Sequence, residues 1–545
     1  MLRRSRLFVG LLALVACAWP HRVAAAPPPE PGAIERTIPT QSQQQSTLPT
    51  LSMPGREARN PGAGKRRFTL GAVNVDGATI FSEQQLSPYF EPYLATEIDQ
   101  AKLAQMAAAI TARYRRTGYL LSYATVPSQN VEAGMVRLAV VEGRIGKVDV
   151  EGAGSAKGAI EAMAAPLAAG TPFKGAALER TLGLIRDLPG VAVTDVALMR
   201  SDIEAGLYTL KIKITPDRIR AFTYVDNRGT GSFVHSRVYN SFAISSLAVQ
   251  GDELRADLFA MPGGHSRYLY GQLVAATPLG RSGMRLQLSA SRGDQYLRED
   301  EHFNGRSDNL TAQLTYPFLR SRALTLLGKA SLTDWRSVGT GGGARKLRDR
   351  LRVARLGIEF GNEGKTRFQG EFTLSRGLGF GGMTRVGDPL ASRVDASGKF
   401  TKAVFAGQVS RPLSERVSVR AVVTAQYSDR PLLSAEEFSL GGNRIGRAFD
   451  FNARTGDRGA GGGVEVSYRL GKTNGAGVEL FSFADGGVAT DLESSASPKH
   501  SRSLASTGVG ARFSLAGTTV ALEAGVPLHG AHSRPRLFAS IFRSF

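Results

Sequence analysis

The sequence predicts a mainly β protein: a C-terminal transmembrane antiparallel β-barrel of about 16 strands, preceded by two small α+β domains. Three observations carry this. The chain opens on a segment with the pattern of a secretory leader, residues 67–216 hold two similar units with helical periodicity, and residues 217–545 alternate apolar and polar residues in strand after strand.

The leader spans residues 1–26, MLRRSRLFVGLLALVACAWPHRVAAA, with a basic start, an apolar run from about Leu7 to Trp19 and small residues at Val23, Ala24 and Ala25. That is the layout of a signal peptide, and its apolar run is too short to cross a bilayer as a helix. Leu14-Val15-Ala16-Cys17 also fits the box preceding a lipidated cysteine, so the fate of Cys17 stays open. Cys17 is the only cysteine, so removal of the leader leaves none for disulfides or a cysteine-rich zinc site. Residues 27–66 are rich in Pro, Gln, Ser and Thr, a composition that buries no core, and read as a linker. A short plug helix over residues 31–45 would place Ile34 and Ile38 four apart.

The formal charge of +21 raises the question of nucleic acid. Lys and Arg are spread singly, with no block of five or six like charges and no aromatic-basic signature, so nucleic acid is not an expected partner. The 63 glycines beside 8% aromatic residues suit many short strands and turns. Mean hydropathy is −0.13, and no run of 18 apolar residues follows the leader, which excludes a helical membrane protein.

Residues 67–144 and 145–216 each start with a strand, FTLGAVNVDG and IGKVDVEG, pass through helical segments and end in two strands. Leu103, Met106, Ile110 and Tyr114 fall on one helical face in the first, as do Leu178, Leu182, Ile185 and Leu188 in the second. Gly118 and Pro189-Gly190 stop the two helices. The closing strands MVRLAVVEG and LYTLKIKIT alternate as half-covered strands do. Each unit is a small sheet with helices on one side and an edge strand left open to another chain.

From residue 217 helical periodicity vanishes. In MRLQLSAS, Met284, Leu286, Leu288 and Ala290 oppose Arg285, Gln287, Ser289 and Ser291; NLTAQLTYP and RFQGEFTLS repeat the pattern, and PRLFASIFRSF ends it at Phe545. A soluble sandwich would alternate in the same way; the leader, the length of the series and its ending at Phe545 point to a membrane instead, where open edges cannot sit, so such strands close into a barrel. At roughly 20 residues per strand and turn, this region holds about sixteen, which leaves an aqueous lumen.

These residues carry a resemblance. The first unit's GYLLSYATVPSQNVEAGMVRLAVVEGRI contains Gly118, Tyr119, Pro127, Gln129, Gly134, Glu142 and Gly143. At the barrel's entrance YVDNRGTGSFVHSRVYNSFAISSLAVQGDEL contains Asp226, Asn227, Gly229, Gly251 and Asp252, and YPFLRSR follows at 316–322. Together they resemble the outer-membrane transporters of two-partner secretion, the filamentous-haemagglutinin and haemolysin secretion/activation family, within the superfamily of barrels with periplasmic POTRA domains. The resemblance implies that the two units are POTRA domains in the periplasm, that the barrel lies in outer-membrane lipid, and that the partner is a large secreted exoprotein. It also implies that Phe545 is a C-terminal signal for the barrel assembly machinery. The sixth extracellular loop of this superfamily folds back into the barrel with a Val-Arg-Gly-Tyr-like motif after paired glycines. Here Gly446-Arg447-Ala448-Phe449 follows Gly441-Gly442, and FADGG supplies the partner motif with Phe483, Asp485 and Gly487. The resemblance therefore implies that Arg447 pairs with Asp485 and pins the loop. Ala448, standing where relatives have glycine, is expected to blunt the bend at the tip because alanine disfavours positive φ.

No enzyme is expected. GNEGKT (361–366) lacks the first glycine of a phosphate loop, since Glu359 holds that place. The histidines His235, His265, His302, His500, His529 and His532 show no metal spacing beyond the last pair, which suits a loop. No metal and no cofactor are called for. Two other classes remain open: a factor that inserts other barrels through a lateral seam, and a porin-like channel.

Overall fold

The computed structural model describes residues 67–131, 134–152, 157–229, 236–263, 266–298, 302–342, 344–473, 475–494, 498–530 and 534–545. The leader with Cys17, the linker, its possible plug helix, His235, His265 and His532 lie outside them. The described chain divides into two compact units at Asp217 and Arg218.

The N-terminal unit holds two modules of one design. In the first, Ala72–Asp76 lies parallel to Met135–Val141, which also pairs antiparallel with Tyr123–Thr125. The helix Gln100–Arg116 covers this sheet; Asp99 caps it by accepting the Lys102 amide at 2.8 Å. Its expected face, Leu103, Met106, Ile110 and Tyr114, is fully buried against Val136, Leu138 and Val140. The second module repeats the order with Arg144–Glu151 parallel to Leu207–Asp217, and Gly190–Arg200 antiparallel to it. Its helix Gly175–Arg186 buries Leu178, Leu182 and Ile185; Leu188 lies beyond the helix end but stays in the core. In both modules the last strand is central. Leu121 of the first packs into the core of the second.

The C-terminal unit is a closed, all-antiparallel barrel. Its sixteen strands follow chain order from Ile219–Asp226 to Arg536–Ser544, and the last pairs with the first. Connections on the rim shared with Ile219 and Ser544 are short turns such as 280–283 and 321–324; opposite them the connections lengthen, to 378–400 and 429–457. The predicted alternation holds. Leu288, Leu310, Leu314, Phe372 and Leu374 point outward and are exposed, Leu310 at 62%, whereas Ser289, Ser291, Thr333 and Ser375 point inward and are buried. No helix among the described residues is long and apolar enough to cross a membrane. The outward apolar band is a lipid-facing surface, and the closed ladder gives each spanning strand a hydrogen-bonded neighbour on both sides.

At the closure, Ser540–Ser544 pairs with Phe222–Asp226. Asn227 extends this seam: its side-chain amide donates to the Leu537 carbonyl at 3.2 Å and accepts from the Ala539 amide at 2.9 Å. Phe545 is exposed at the other end, its amide donating to the Ala221 carbonyl at 2.9 Å.

Outward and lumen positions should respond differently to charge. Leu314→Arg, deep in the outward apolar band, is expected to cost about 2–4 kcal/mol of barrel stability in reversible urea unfolding from liposomes. Gln313→Arg, one residue before it on the lumen side, should cost under about 1 kcal/mol; equal losses would contradict the assigned faces.

Candidate functional site: a loop anchored in the barrel lumen

Residues 429–457 connect the strands Val417–Ser428 and Arg458–Thr473, and form the sixth connection on the rim opposite Ile219 and Ser544. The segment turns inward rather than away, because its apolar residues find a wall to pack on. Phe438, Leu440, Ile445, Ala448 and Phe449 cluster with Ala489 and Leu504 of the barrel. A short hairpin, Phe438–Leu440 with Arg454–Gly456, frames the tip. Glycines on the wall make the approach possible. A Cβ at Gly459 would lie 2.1 Å from the Phe438 ring, and one at Gly461 or at Gly487 2.9 Å from Leu440.

Arg447 and Asp485 do meet, but not as the expected ion pair. Asp485 accepts the backbone amides of Gly446 at 2.8 Å and Arg447 at 3.3 Å, and the Ser506 hydroxyl. The Arg447 guanidinium passes beyond it, donating to Glu465 at 2.7 Å and to Glu523. The physical reason is reach. With its amide seated on Asp485, the extended Arg447 side chain carries its charge several ångströms farther, across the face of Phe483, whose ring centroid lies 3.8 Å away. Phe481, Phe483 and Asp485 alternate with exposed Leu480, Ser482 and Ala484 and are buried on the lumen side.

The expected strain at Ala448 does not arise. Left-handed φ falls on Gly441 (+108°), Gly442 (+105°) and Gly446 (+78°), and not on Ala448. Ala448 instead sits against Gly525, whose missing side chain leaves it room. Phe449 donates its amide to the Gly446 carbonyl at 2.9 Å, closing the turn, and buries its ring.

Around Arg447 lies a lumen network in which Glu465 also accepts from Arg512 at 2.8 Å and Arg420 at 3.0 Å. Arg228 donates to Glu523 at 2.6 Å and to the Arg447 carbonyl at 2.8 Å, with its guanidinium 3.7 Å from the Phe538 ring. Arg228 lies between Asn227 and Gly229, where no pattern in the sequence singles it out. Glu465 and Glu523 were missed too, though VEV (464–466) and LEA (522–524) each place a carboxylate on the face opposite outward-pointing Val464, Val466 and Leu522.

The residues grouped as a barrel-entrance motif divide between two places. Asp226 is fully buried and bidentate to Arg237, which lies 4.1 Å over Phe451 of the loop. Asn227 serves the seam, and Gly229 is buried just after it. Gly251 and Asp252 lie instead in the turn at the opposite rim. There Gly251 adopts φ +82°, and the Asp252 carboxylate accepts the amides of Leu247, Ala248 and Val249 at 2.7–2.9 Å. An eight-residue strand of roughly 26 Å separates the two groups.

The first-module motif is a brace. Glu142 accepts from the amides of Thr79 at 2.8 Å and Ile80 at 2.9 Å, from the Thr79 hydroxyl, and from the Tyr114 hydroxyl at 2.7 Å. Burial alone would raise its carboxyl; these donors outweigh it and hold the group below its usual value. Burial, then Glu142, pushes the Tyr114 hydroxyl up. Tyr119 stacks edge-on with Phe81 and Tyr114. The carbonyls of Gly118 and Gly143 accept the amides of Gly175 and Phe173 at 2.9 and 2.8 Å, which ties the modules together. Gln129 pairs its side chain with both backbone groups of Arg137 at 2.8 Å, and also donates to the Pro127 carbonyl at 3.4 Å. Gly134 (φ +72°) accepts the Gly71 amide at 2.8 Å. His529 bonds the Ser503 hydroxyl at 2.9 Å.

Residues 209–513, more than half of the chain, match the family model described as haemolysin secretion/activation protein ShlB/FhaC/HecB. The chain belongs to that family. Residues 68–143 match the ShlB-type POTRA domain. In this family the barrel sits in the outer membrane and the POTRA domains in the periplasm, so the rim of long connections faces the cell surface. The chain is 22% identical over 452 residues to the heme/hemopexin transporter protein HuxB of Haemophilus influenzae strain Rd, covering 77% of this chain and 76% of HuxB. The alignment to HuxB of strain 86-028NP spans 60% of each. It is 22% identical to the outer membrane transporter CdiB of Dickeya dadantii, over 72% of this chain and 71% of CdiB. Among solved structures, CdiB from Escherichia coli superposes with a TM-score of 0.71 at 18% identity, covering 94% of this chain and 95% of that one. CdiB from Acinetobacter baumannii gives 0.64 at 16% identity, covering 100% and 97%.

Two separate anchors behave differently from one ion pair. Arg447→Ala and Asp485→Ala are each expected to speed tryptic cleavage of residues 429–457 by about tenfold or more, and the double variant by nearly the product of the two. A double variant no faster than either single one would restore the direct pair.

The lowered Glu142 value sets an acid limit. Its contribution is complete above the unfolded value of about 4.3 and is lost as the pH falls through the lower native value. Amide exchange at Thr79 and Ile80 should therefore rise as the pH drops from about 5 to about 3 relative to unstructured controls, and Glu142→Gln should flatten that rise.

Proposed function

We propose that this protein recognises a large exoprotein, adhesin- or haemolysin-like, through its periplasmic modules and translocates it unfolded through the barrel to the cell surface. The observation that carries the reading is the loop 429–457 inside a closed barrel, held by polar anchors on a wall that could also be left. Two charge-assisted bonds to Arg447, each worth about 1.5–3 kcal/mol where water is scarce and less in a wet lumen, hold a loop without making it permanent. Family membership and the likeness to CdiB and HuxB support the same reading.

The steps follow from this chain's own parts. An extended segment of the partner adds to an open sheet edge of the modules, where main-chain bonds give affinity and alternate side chains give selectivity. The loop then vacates the lumen, Arg447 exchanging its carboxylates for water. The chain carries no complete nucleotide-binding motif, so folding of the partner outside supplies the driving force. Phe545, exposed at the periplasmic rim, is proposed to serve the barrel assembly machinery during biogenesis.

A barrel-inserting factor would work by parting its seam. Here Asn227 and the Phe545 amide add bonds on both sides of the five-residue register, which favours a closed conduit over a lateral gate.

Deleting residues 67–144 should abolish export of the partner while the barrel still shows heat-modifiable migration; retained export would remove the capture step. Arg447→Ala is expected to lower export with the barrel intact, and unchanged export would reject the role of the loop.

A further inference from the structure

On the outer wall, just above the lipid-facing band, charges are arranged in rows that run across four strands. Arg292, Asp308, Arg336 and Arg350 stand opposite one another in register, with Leu310, Asp334 and Arg352 one step nearer the membrane centre. Arg336, Arg350 and Arg352 share their outward face with the exposed Leu332, Leu356 and Ile358, and their inward neighbours Trp335, Leu351 and Val353 are buried. They therefore point away from the lumen, at the end of the strands that leads to the long surface connections.

Most charges here are matched one to one. Arg292 pairs with Asp308 at 2.7 Å, Arg306 with Asp294 at 3.0 Å and Arg348 with Asp388 at 3.0 Å. Asp334 is different. Three guanidiniums converge on its carboxylate, Arg336 at 2.9 Å, Arg352 at 3.2 Å and Arg350 at 3.9 Å. One negative charge faces three positive ones, and Asp308, opposite Arg336, is already engaged by Arg292. The Arg350 Nε is buried and has no hydrogen-bond partner among the described residues. Arg352 also donates to the Phe380 carbonyl at 3.3 Å and lies 5.3 Å over the exposed Phe380 ring.

A guanidinium trio with two uncompensated charges, at the level where hydrocarbon gives way to headgroups, is matched by a dianionic group carried on a lipid. Arginine forks suit phosphate oxygens bidentately, and basic clusters beside a spanning segment recognise anionic headgroups. The neighbouring outward leucines and Phe380 would meet its acyl chains. We propose that Arg336, Arg350 and Arg352 form a binding site for the phosphate of a phosphorylated glycolipid in the outer leaflet.

The test uses the full-length protein in phosphatidylcholine nanodiscs, with diphosphoryl lipid A, dephosphorylated lipid A and inorganic phosphate as probes, read by native mass spectrometry. Diphosphoryl lipid A should be retained about tenfold more strongly than the dephosphorylated form. The Arg336→Gln, Arg350→Gln, Arg352→Gln triple variant should lose that preference, and Asp334→Asn should strengthen it. Heat-modifiable migration checks that each barrel is folded; if the triple variant is not, Arg350→Gln and Asp334→Asn decide, with a loss and a gain expected. Equal retention of the two lipids, unchanged binding in the folded variants, or inorganic phosphate binding as tightly as the lipid would each overturn the assignment.

Discussion

Hydrocarbon offers no hydrogen-bond partner, and this constraint shapes the whole barrel unit. A strand crossing it must spend its amides and carbonyls on neighbours, so the sheet has to close. Closure fixes side chains to alternate faces, and from that follow the outward leucines, the inward serines and a hollow interior. The loop 429–457 lies in that interior, and its anchors can be charged because the interior, unlike the hydrocarbon-facing exterior, tolerates charge.

Those anchors divide the labour by chemistry. Asp485 holds the main chain of the loop tip, which positions Gly446 and Arg447. Arg447 then projects its charge to Glu465 and Glu523, and Arg228 ties the same Glu523 to the end of the first strand. Each carboxylate keeps another cation when Arg447 leaves: Arg512 and Arg420 for Glu465, Arg228 for Glu523. Withdrawal of the loop therefore leaves Glu465 and Glu523 paired, and Asp485 alone gives up its backbone donors, keeping the Ser506 hydroxyl; the release is confined to one carboxylate, which suits a reversible lock rather than a fixed one.

Much of this was legible in the sequence. A period of two, repeated from residue 217 to Phe545, dictates strands and assigns their faces, as in MRLQLSAS, where Leu288 is exposed and Ser289 and Ser291 are buried. Helix faces such as Leu103, Met106, Ile110 and Tyr114 were equally readable, because a 3.6 period and a core leave one solution. The partner of Arg447 was not readable. Alternation says that Glu465, Asp485 and Glu523 all face the lumen, but which one a long side chain reaches depends on strand register and on where its backbone is seated. The same distance across the sheet separated Asp226 from Asp252, neighbours in a motif and strangers in space. Ala448 misled for a local reason: the turn draws its left-handed residue from Gly446, two positions earlier.

The glycines of the strand Arg458–Thr473 admit the loop's Phe438 and Leu440, and they leave a second mark on the interior. Once the loop departs, that strip is bare peptide whose donors and acceptors are already committed to the ladders on either side. Under the proposed mechanism, a polypeptide passing Gly459 and Gly461 would meet neither side chains to snag on nor free amides to stick to, so the same glycines that seat the loop would also ease passage.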